Sequence, residues 1–264
     1  MNAVTQRRVG FVFPRAVMAL MLREMSTTYG RSPGGYLWSI AEPTAGIIVM
    51  TIVFTMIAHH PPLGSSFPLF YATGLLPLQM YQNISNKVAS AIRFSKPLLA
   101  YPNVSYIDTI VARLLLESLT QFLVFFVVLF VIIEIEGARV DLNVGAIGLS
   151  FAMLISMGLG IGLMNCFLTS MFPVWQFTWA VLNRPMFLIS GVLFVVDTLS
   201  PVPRGWMLWN PLTHVISMMR KGFYGTYGAP YASPVYVFGV ALLLSVIGLL
   251  LVRRFHRHIL DERV

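Results

Sequence analysis

Ionisable side chains inside long apolar stretches are the residues of this sequence that could do chemistry. Arg113 and Glu117 stand four residues apart in the apolar run that begins near Tyr106, so a helix would carry both on one face. Charged groups in a bilayer are costly and are found paired or at functional positions. The spacing therefore predicts an intramembrane ion pair, which either holds the structure together or breaks and re-forms during a working cycle.

Motifs of catalysis and metal binding are absent from the sequence. It has no G-x-x-x-x-G-K-[ST] phosphate loop, no H-E-x-x-H, no G-x-S-x-G and only one cysteine, Cys166. A membrane enzyme acting on lipid-linked sugars would need an acid and a base in one cavity, and a secondary transporter would need titratable groups at mid-membrane. The few intramembrane carboxylates, Glu42, Asp108 and Glu117, argue against both classes. A non-catalytic conduit driven by a separate protein fits better.

Composition places the chain in a membrane. Of its 264 residues, 57% are apolar and 11% are charged, whereas a soluble domain has about 25% charged residues. The basic residues behind the net charge of +8 flank apolar stretches, so no nucleic-acid partner is expected. The pattern predicts an all-α protein with six membrane-spanning helices in a single domain, residues 1–264. The predicted spans are about 36–58, 67–90, 106–133, 142–171, 174–196 and 235–252.

An amphipathic helix at residues 13–30 is predicted to lie in the membrane interface before the first span. Arg15 and Arg23 share one arc of this helix with small polar residues, while leucines and methionines fill the rest. Glu24 projects from the apolar side, so its carboxylate should find a hydrogen-bond donor. Glycine and proline residues then separate this helix from the first span, which makes it a lever on the cytoplasmic face.

Local signals predict how the later part of the chain is arranged. Gly158 and Gly162 are spaced to let another helix approach closely, and Arg184-Pro185 predicts a break inside the fifth span. Residues 198–228 are apolar but too rich in proline and glycine to span, which favours two short re-entrant or interfacial helices on the outer side. The expected helices are around Arg204–Leu208 and Leu212–Lys221, the second with Asn210 as its cap. Lysine and arginine are concentrated near both termini and at residues 93–96, so both termini are predicted to be cytoplasmic.

The run from Leu22 to Pro43 resembles the permease subunits of ABC-2-type polysaccharide exporters, and among them the inner-membrane subunits of capsule exporters of the KpsM type. It contains Arg23-Glu24, Tyr29-Gly30-Arg31 and Leu37-Trp38 at the matching spacing. Further matching motifs, spread over nearly the whole chain, are Phe70…Thr73-Gly74…Pro77…Tyr81, Tyr101-Pro102-x-Val104…Asp108…Arg113…Glu117 and Asn210-Pro211-Leu212-Thr213-His214…Arg220. Ser217 departs from the pattern, since many relatives have an acidic residue there. This departure weakens an outer-side ion pair with Arg220.

The resemblance implies an ABC-2 (type V) exporter fold and a mechanism. Two copies of the permease would enclose a tunnel, and two copies of a separate ABC ATPase, which bind ATP and Mg, would dock on the cytoplasmic side. The permease itself would be non-catalytic and without a cofactor or metal, in the bacterial inner membrane. It would move a lipid-linked acidic polysaccharide, with capsule as the first hypothesis, towards a periplasmic co-polymerase or adaptor and an outer-membrane channel. O-antigen, teichoic acid or small-molecule export stay open as alternatives.

The resemblance and the residue types together suggest roles for individual side chains. Residues expected to receive the motion of the ATPase are Arg23, Glu24, Arg31, Phe94, Lys96, Tyr101 and Asp108. Residues expected to line the tunnel, where aromatic faces stack on sugar rings, are Tyr71, Tyr81, Asn83, Trp175, Trp179 and Arg184. The expected outer gate consists of Arg204, Trp206, Trp209 and Asn210. Residues expected to attract the anchor phosphate are Arg7, Arg8 and Arg15. Positive-inside topology, ordinary packing and interface anchoring are the open alternatives.

Overall fold

The computed structural model describes residues 12–28, 35–99, 104–137 and 140–261, and these ranges are helical apart from their connections. The helices are α1 Val12–Thr28, α2 Gly35–Ile57, α3 Phe67–Ala89, α4 Ala91–Ser95, α5 Tyr106–Glu136, α6 Val144–Met171, α7 Trp175–Asn183, α8 Met186–Ile189, α9 Pro201–Met207, α10 Pro211–Phe223 and α11 Pro234–Asp261. The predicted site residues Arg7, Arg8, Arg31 and Tyr101 lie outside the described residues.

Four described helices are long and apolar enough to cross a membrane. They are Leu37–Ile57 within α2, α5, α6 and Pro234–Phe255 within α11. Helix α3 has the length of a span, but Gln79, Gln82 and Asn83 make it more polar. Most of α3 is buried among the other helices, a position in which membrane proteins tolerate polar side chains.

The fifth predicted span, residues 174–196, does not form one continuous helix. It divides into α7 and α8 at Arg184-Pro185, where proline cannot donate the helical hydrogen bond. The chain leaves α8 through Gly191, whose φ of +76° is the left-handed conformation that glycine adopts without a Cβ penalty. The break predicted inside this span is therefore confirmed.

Helix α6 is the centre of the bundle, and its glycines set how closely the neighbours approach. A Cβ on Gly158 would lie 2.6 Å from Ile84 Cγ2 of α3, and one on Gly162 would lie 2.6 Å from Val88 Cβ of the same helix. The close approach predicted for this pair of glycines is confirmed. On another side of α6, a Cβ on Gly160 would lie 2.7 Å from the carbonyl of Ala241 in α11. The lack of a side chain at these three glycines therefore lets α3 and α11 pack closely against α6.

Capping residues explain where several helices begin. The hydroxyl of Ser105 accepts from the amide of Ile107, while Asp108 accepts from the amide of Ser105 at 2.9 Å, which together form a capping box at α5. Helix α10 begins after Asn210, whose side chain accepts from the amide of Leu212 at 3.0 Å. Both short helices predicted in 198–228 are present, as α9 and α10, and α10 packs against α3 and α6.

Candidate functional site

A buried ion pair joins the interface helix α1 to the membrane-spanning helix α5. Arg113 Nη2 lies 2.9 Å from Glu24 Oε1, and Arg113 Nε donates to Glu24 Oε2 at 2.9 Å. Two parallel hydrogen bonds of this kind are the strongest contact that an arginine makes with a carboxylate. Arg113 is therefore the hydrogen-bond donor that was expected for Glu24 on the apolar face of its helix. The sequence alone did not identify this partner.

The predicted ion pair between Arg113 and Glu117 is wrong. Within the described chain no ion pair joins these two residues, and Glu117 instead accepts a hydrogen bond from Gln121 Nε2 at 2.8 Å. The reason is geometric, since Glu24 approaches from another helix and presents both carboxylate oxygens to the guanidinium. A residue four positions further along the same helix can reach it less directly. Spacing placed Arg113 and Glu117 on one face but did not decide which carboxylate Arg113 binds.

The ion pair is the centre of a cluster that connects α1, the end of α3, α4 and α5. Arg113 Nη1 donates to the carbonyl of Lys87 at 3.2 Å and to Ser90 Oγ at 2.7 Å, both at the end of α3. The ring of Phe94 in α4 covers the guanidinium, with 4.2 Å from Cζ to the ring centroid. We call Glu24, Lys87, Ser90, Phe94 and Arg113 the ion-pair cluster. It includes two of the predicted coupling residues, Glu24 and Phe94.

The other described coupling candidates are Asp108, Arg23 and Lys96. Asp108 belongs to the capping box of α5, so its observed role is to fix the start of that helix. Arg23 and Lys96 are partly exposed, on α1 and just after α4. Their part in coupling stays a prediction.

Two of the predicted tunnel residues lie inside the protein. Tyr71 and Tyr81 are each 1% exposed, and the ring centroid of Tyr71 lies 5.1 Å from that of Phe54. The prediction that both tyrosines line a tunnel is wrong for this conformation, because α3 is enclosed by its neighbours. Asn83 and Arg184 are exposed, as contact with a passing substrate requires.

Trp175 and Trp179 form a pair on the partly exposed helix α7. Their ring centroids are 6.3 Å apart with 23° between the planes. The indole N–H of Trp175 donates to Asn165 Oδ1 of α6 at 2.9 Å, which anchors one end of the pair. No residue of α7 is fully buried by the described chain, so the helix has a free face. Asn165 did not stand out in the sequence, since a single asparagine in an apolar run carries no periodic signal.

The predicted outer-gate residues lie on and beside α9. Trp206 and Trp209 are 78% and 79% exposed, and Arg204 Nη2 lies 3.0 Å from Asp197 Oδ1. Asn210 Nδ2 donates to Ser190 Oγ at 3.0 Å and thereby ties the start of α10 to the end of α8. The four residues are therefore neighbours along the chain with two kinds of side chain. Trp206 and Trp209 present exposed rings, whereas Arg204 and Asn210 form polar contacts that fix the surrounding loops.

Arg220 supports the segment after α8 from inside the protein. It is 2% exposed, and its guanidinium donates to the carbonyls of Gly191 at 2.7 Å, Val192 at 2.7 Å and Phe194 at 2.9 Å. The face of Phe70 covers it, 4.1 Å from Cζ to the ring centroid. No described carboxylate pairs with Arg220. The sequence raised Arg220 only as a possible partner of an acid and did not predict these backbone contacts.

Metal binding finds no support in the described part of the chain, where no three histidine, cysteine or acidic side chains come together. The site is thus built from helix α1, long apolar helices, the broken pair α7 and α8, and the segment after α8 that Arg220 holds. The family model "ABC-2 type transporter" matches residues 15–224, and the chain belongs to this family.

Named relatives are similar over nearly their full length. The polysialic acid transport protein KpsM of Escherichia coli is 34% identical over 248 residues, which cover 93% of this chain and 96% of that protein. The capsule polysaccharide export inner-membrane protein CtrC of Neisseria meningitidis is 30% identical over 243 residues, 92% of each chain. The corresponding protein BexB of Haemophilus influenzae is 30% identical over 249 residues, 93% of this chain and 92% of that one.

Proposed function

We propose that this chain is the permease subunit of an ATP-driven exporter that moves lipid-linked capsular polysaccharide from the cytoplasm across the bacterial inner membrane. The observation that carries the proposal is the match to the three relatives above, each named for transport of capsule polysaccharide or polysialic acid. The match of the family model over residues 15–224 includes most of helix α1 and all of α9 and α10.

The energy comes from another subunit in this proposal. The sequence has no phosphate loop, so ATP and Mg bind to a separate ABC ATPase, of which two copies dock on the cytoplasmic face. Helix α1 and the residues around Phe94 are the docking surface. The ion-pair cluster supports this assignment, because it gives α1 a direct connection to α5 and to the end of α3. The permease subunit itself catalyses no reaction.

Two copies of the chain enclose the tunnel. The free face of α7 and the exposed apolar side of α2 are surfaces that a second copy or lipid must cover, since the described chain leaves them bare. With α3 and the α7–α8 pair counted as crossings, the chain spans six times and has both termini in the cytoplasm. Arg15 and Arg23 of α1 and Arg253 and Arg254 near the end of α11 then lie on the same, positive side.

The exported polymer passes on to a periplasmic co-polymerase or adaptor and to an outer-membrane channel. O-antigen or teichoic acid export and small-molecule export are the nearest alternatives. Relatives named for capsule favour capsule over these cargoes. A membrane enzyme on lipid-linked sugars is disfavoured by the described structure, in which Glu24 is paired with Arg113 and Glu117 is bonded to Gln121 rather than free in a cavity.

The proposal is tested by isolating the protein from its native membrane in mild detergent and identifying what accompanies it by mass spectrometry. We expect a stoichiometric ATPase with its own phosphate loop, together with a periplasmic adaptor. An ATPase without an adaptor would favour the small-molecule alternative. If no ATPase is found even after gentle crosslinking, the permease assignment is wrong.

A further inference from the structure

A polar cavity of about 300 Å³ lies between helix α7 and the C-terminal ends of α3 and α6. Its wall includes the amides of Asn86, Asn165 and Asn183, the indole of Trp179 and the guanidinium of Arg93. None of the described residues that form the wall is acidic. Ligand pockets measure roughly 300–1,000 Å³, so this cavity fits one ring-sized molecule.

Three buried polar atoms of this wall have no hydrogen-bond partner in the described chain. They are Asn165 Nδ2, Trp179 Nε1 and Asn183 Oδ1. The orientation of Asn165, which is 2% exposed, is fixed because the indole N–H of Trp175 is a donor and must bind Oδ1. The amide N–H groups of Asn165 are then the free ones. Buried polar groups are almost always satisfied, and a guest that both accepts and donates would satisfy these two donors and one acceptor once the wall opens to it.

A sugar ring has this chemistry. Its hydroxyls accept and donate hydrogen bonds, and its C–H groups, slightly positive, pack on the negative face of an aromatic ring. Trp179 supplies such a face beside the free amides, and its stacking on Trp175 holds the ring in place. The residue therefore contributes both a flat surface and an N–H donor.

Arg93 adds a charge requirement. Its side chain is exposed on α4, and it forms no ion pair with any carboxylate among the described residues. A guanidinium next to neutral amides attracts a carboxylate or a phosphate, which it can bind through two hydrogen bonds. The wall as a whole therefore selects for a sugar that carries a negative charge.

We propose that this cavity binds one acidic glycosyl unit of the cargo at the end of the bundle where α1 and the ion-pair cluster lie. The inference rests on the proposed function and adds to it a specific recognition site. The negative charge is either a carboxylate on the sugar or the phosphate that joins the sugar to lipid, since Arg93 binds the oxygens of both. Ser90 belongs to the cavity wall and also accepts from Arg113 Nη1 at 2.7 Å. Ser90 thus belongs both to the cavity wall and to the ion-pair cluster.

The test measures binding of defined saccharides to the full-length chain, purified together with its ATPase in lipid nanodiscs. The probes are an α2,8-linked sialic acid tetramer, N-acetylglucosamine 1-phosphate and, as a neutral control, maltotetraose. Titration calorimetry at fixed salt should give at least one acidic probe a dissociation constant ten-fold or more below that of maltotetraose. Arg93→Gln should weaken binding of that probe about ten-fold, and Trp179→Leu should weaken it by at least as much.

Matched controls remove the same side-chain types elsewhere. Arg254→Gln on α11 removes an exposed arginine, and Trp38→Leu on α2 removes an exposed tryptophan. Neither residue belongs to the cavity wall, so binding should be unchanged. Trp179→Phe keeps an aromatic face but loses the N–H, so intermediate binding is expected even if the leucine variant folds poorly.

Each outcome decides the proposal. Preference for the sialic acid tetramer supports recognition of the sugar carboxylate, and preference for the sugar phosphate supports recognition of the anchor end. Equal binding of acidic and neutral probes, or acidic binding that Arg93→Gln and Trp179→Phe leave unchanged, would overturn the cavity site. Failure of every probe to bind a complex that still hydrolyses ATP would overturn the site and leave the permease proposal standing. A chain that purifies without any ATPase would overturn both.

Discussion

Glu24 and Arg113 are 89 positions apart in the sequence, yet their side chains form two hydrogen bonds of 2.9 Å. The pair fastens the interface helix α1 to α5. At most 10% of either side chain is exposed, so water and salt weaken the attraction little. In the proposed coupling, movement of α1 passes through this contact to α5 and, through Ser90, to the end of α3.

Replacing Glu24 by Gln should uncouple the interface helix. The change removes the carboxylate that is hydrogen-bonded to the buried Arg113 guanidinium, and losing one member of a buried pair costs about 3–5 kcal/mol. We expect a lower thermal unfolding temperature and a several-fold lower substrate-stimulated ATPase rate in the purified complex. Wild-type stimulation in Glu24→Gln would contradict the coupling role.

Exchange of the two charges gives a stricter test of the same contact. Glu24→Arg and Arg113→Glu should each impair coupling alone, and the double variant should recover a large part of the loss because the pair is restored in reverse. The matched control combines Glu117→Arg with Arg113→Glu, which should not recover, since Glu117 is bonded to Gln121 instead. Rescue by this second combination would reinstate the pair expected from spacing.

Arg220→Met should loosen the segment after α8. The variant loses three hydrogen bonds from a charged donor, each worth roughly 1.5–3 kcal/mol, and leaves the carbonyls of Gly191, Val192 and Phe194 without that donor. Amide hydrogen exchange across residues 191–196 should accelerate by at least ten-fold. The neighbouring substitution Lys221→Met is the control and should leave this exchange unchanged. Unaltered exchange in Arg220→Met would show that other contacts hold the segment.

Gly162→Ala should destabilise the contact between α6 and α3. The added Cβ would meet Val88 Cβ at 2.6 Å, so the helices must separate. Gly148→Ala on the same helix is the matched control, because nothing lies within 4 Å of its Cβ. Alanine in a helix is favoured over glycine by about 1 kcal/mol, so the control should be neutral or slightly stabilising. Thermal unfolding of both variants measures the difference, and equal midpoints would contradict the close packing.

Trp206 and Trp209 are predicted to act at the outer end of the tunnel. Changing both to alanine should lower the amount of surface polymer several-fold without changing the amount of permease in the membrane, because both rings are exposed and contribute little to the core. Trp38→Ala, an exposed tryptophan on α2, is the control. An unchanged amount of surface polymer in the double variant would show that both rings act only as membrane-interface anchors.

Local signals allowed much of the fold to be predicted. Asn210-Pro211 predicted the start of α10, Pro185 predicted the break after α7, and Gly158 with Gly162 predicted a close helix contact. The helix start and the break depend on backbone preferences of residues near one another in sequence, and the two glycines indicated a close contact without identifying α3 as the partner.

Contacts between distant segments could not be predicted in the same way. The partner of Arg113 depends on where α1 lies against α5, and the burial of Tyr71 depends on helices that enclose α3. The backbone acceptors of Arg220 exist only once the chain turns at Gly191. The polar cavity beside Trp179 is similar, since α3, α4, α6 and α7 each contribute to its wall.

Deletion of the gene in its native host, followed by localisation of the capsular polymer, tests the proposed export function. The permease proposal predicts that polymer disappears from the cell surface, accumulates inside the cytoplasm with its lipid end attached, and returns to the surface when the wild-type chain is supplied. A Glu24→Gln chain supplied at the same level should restore it poorly. A normal capsule in the deletion strain would contradict the export function.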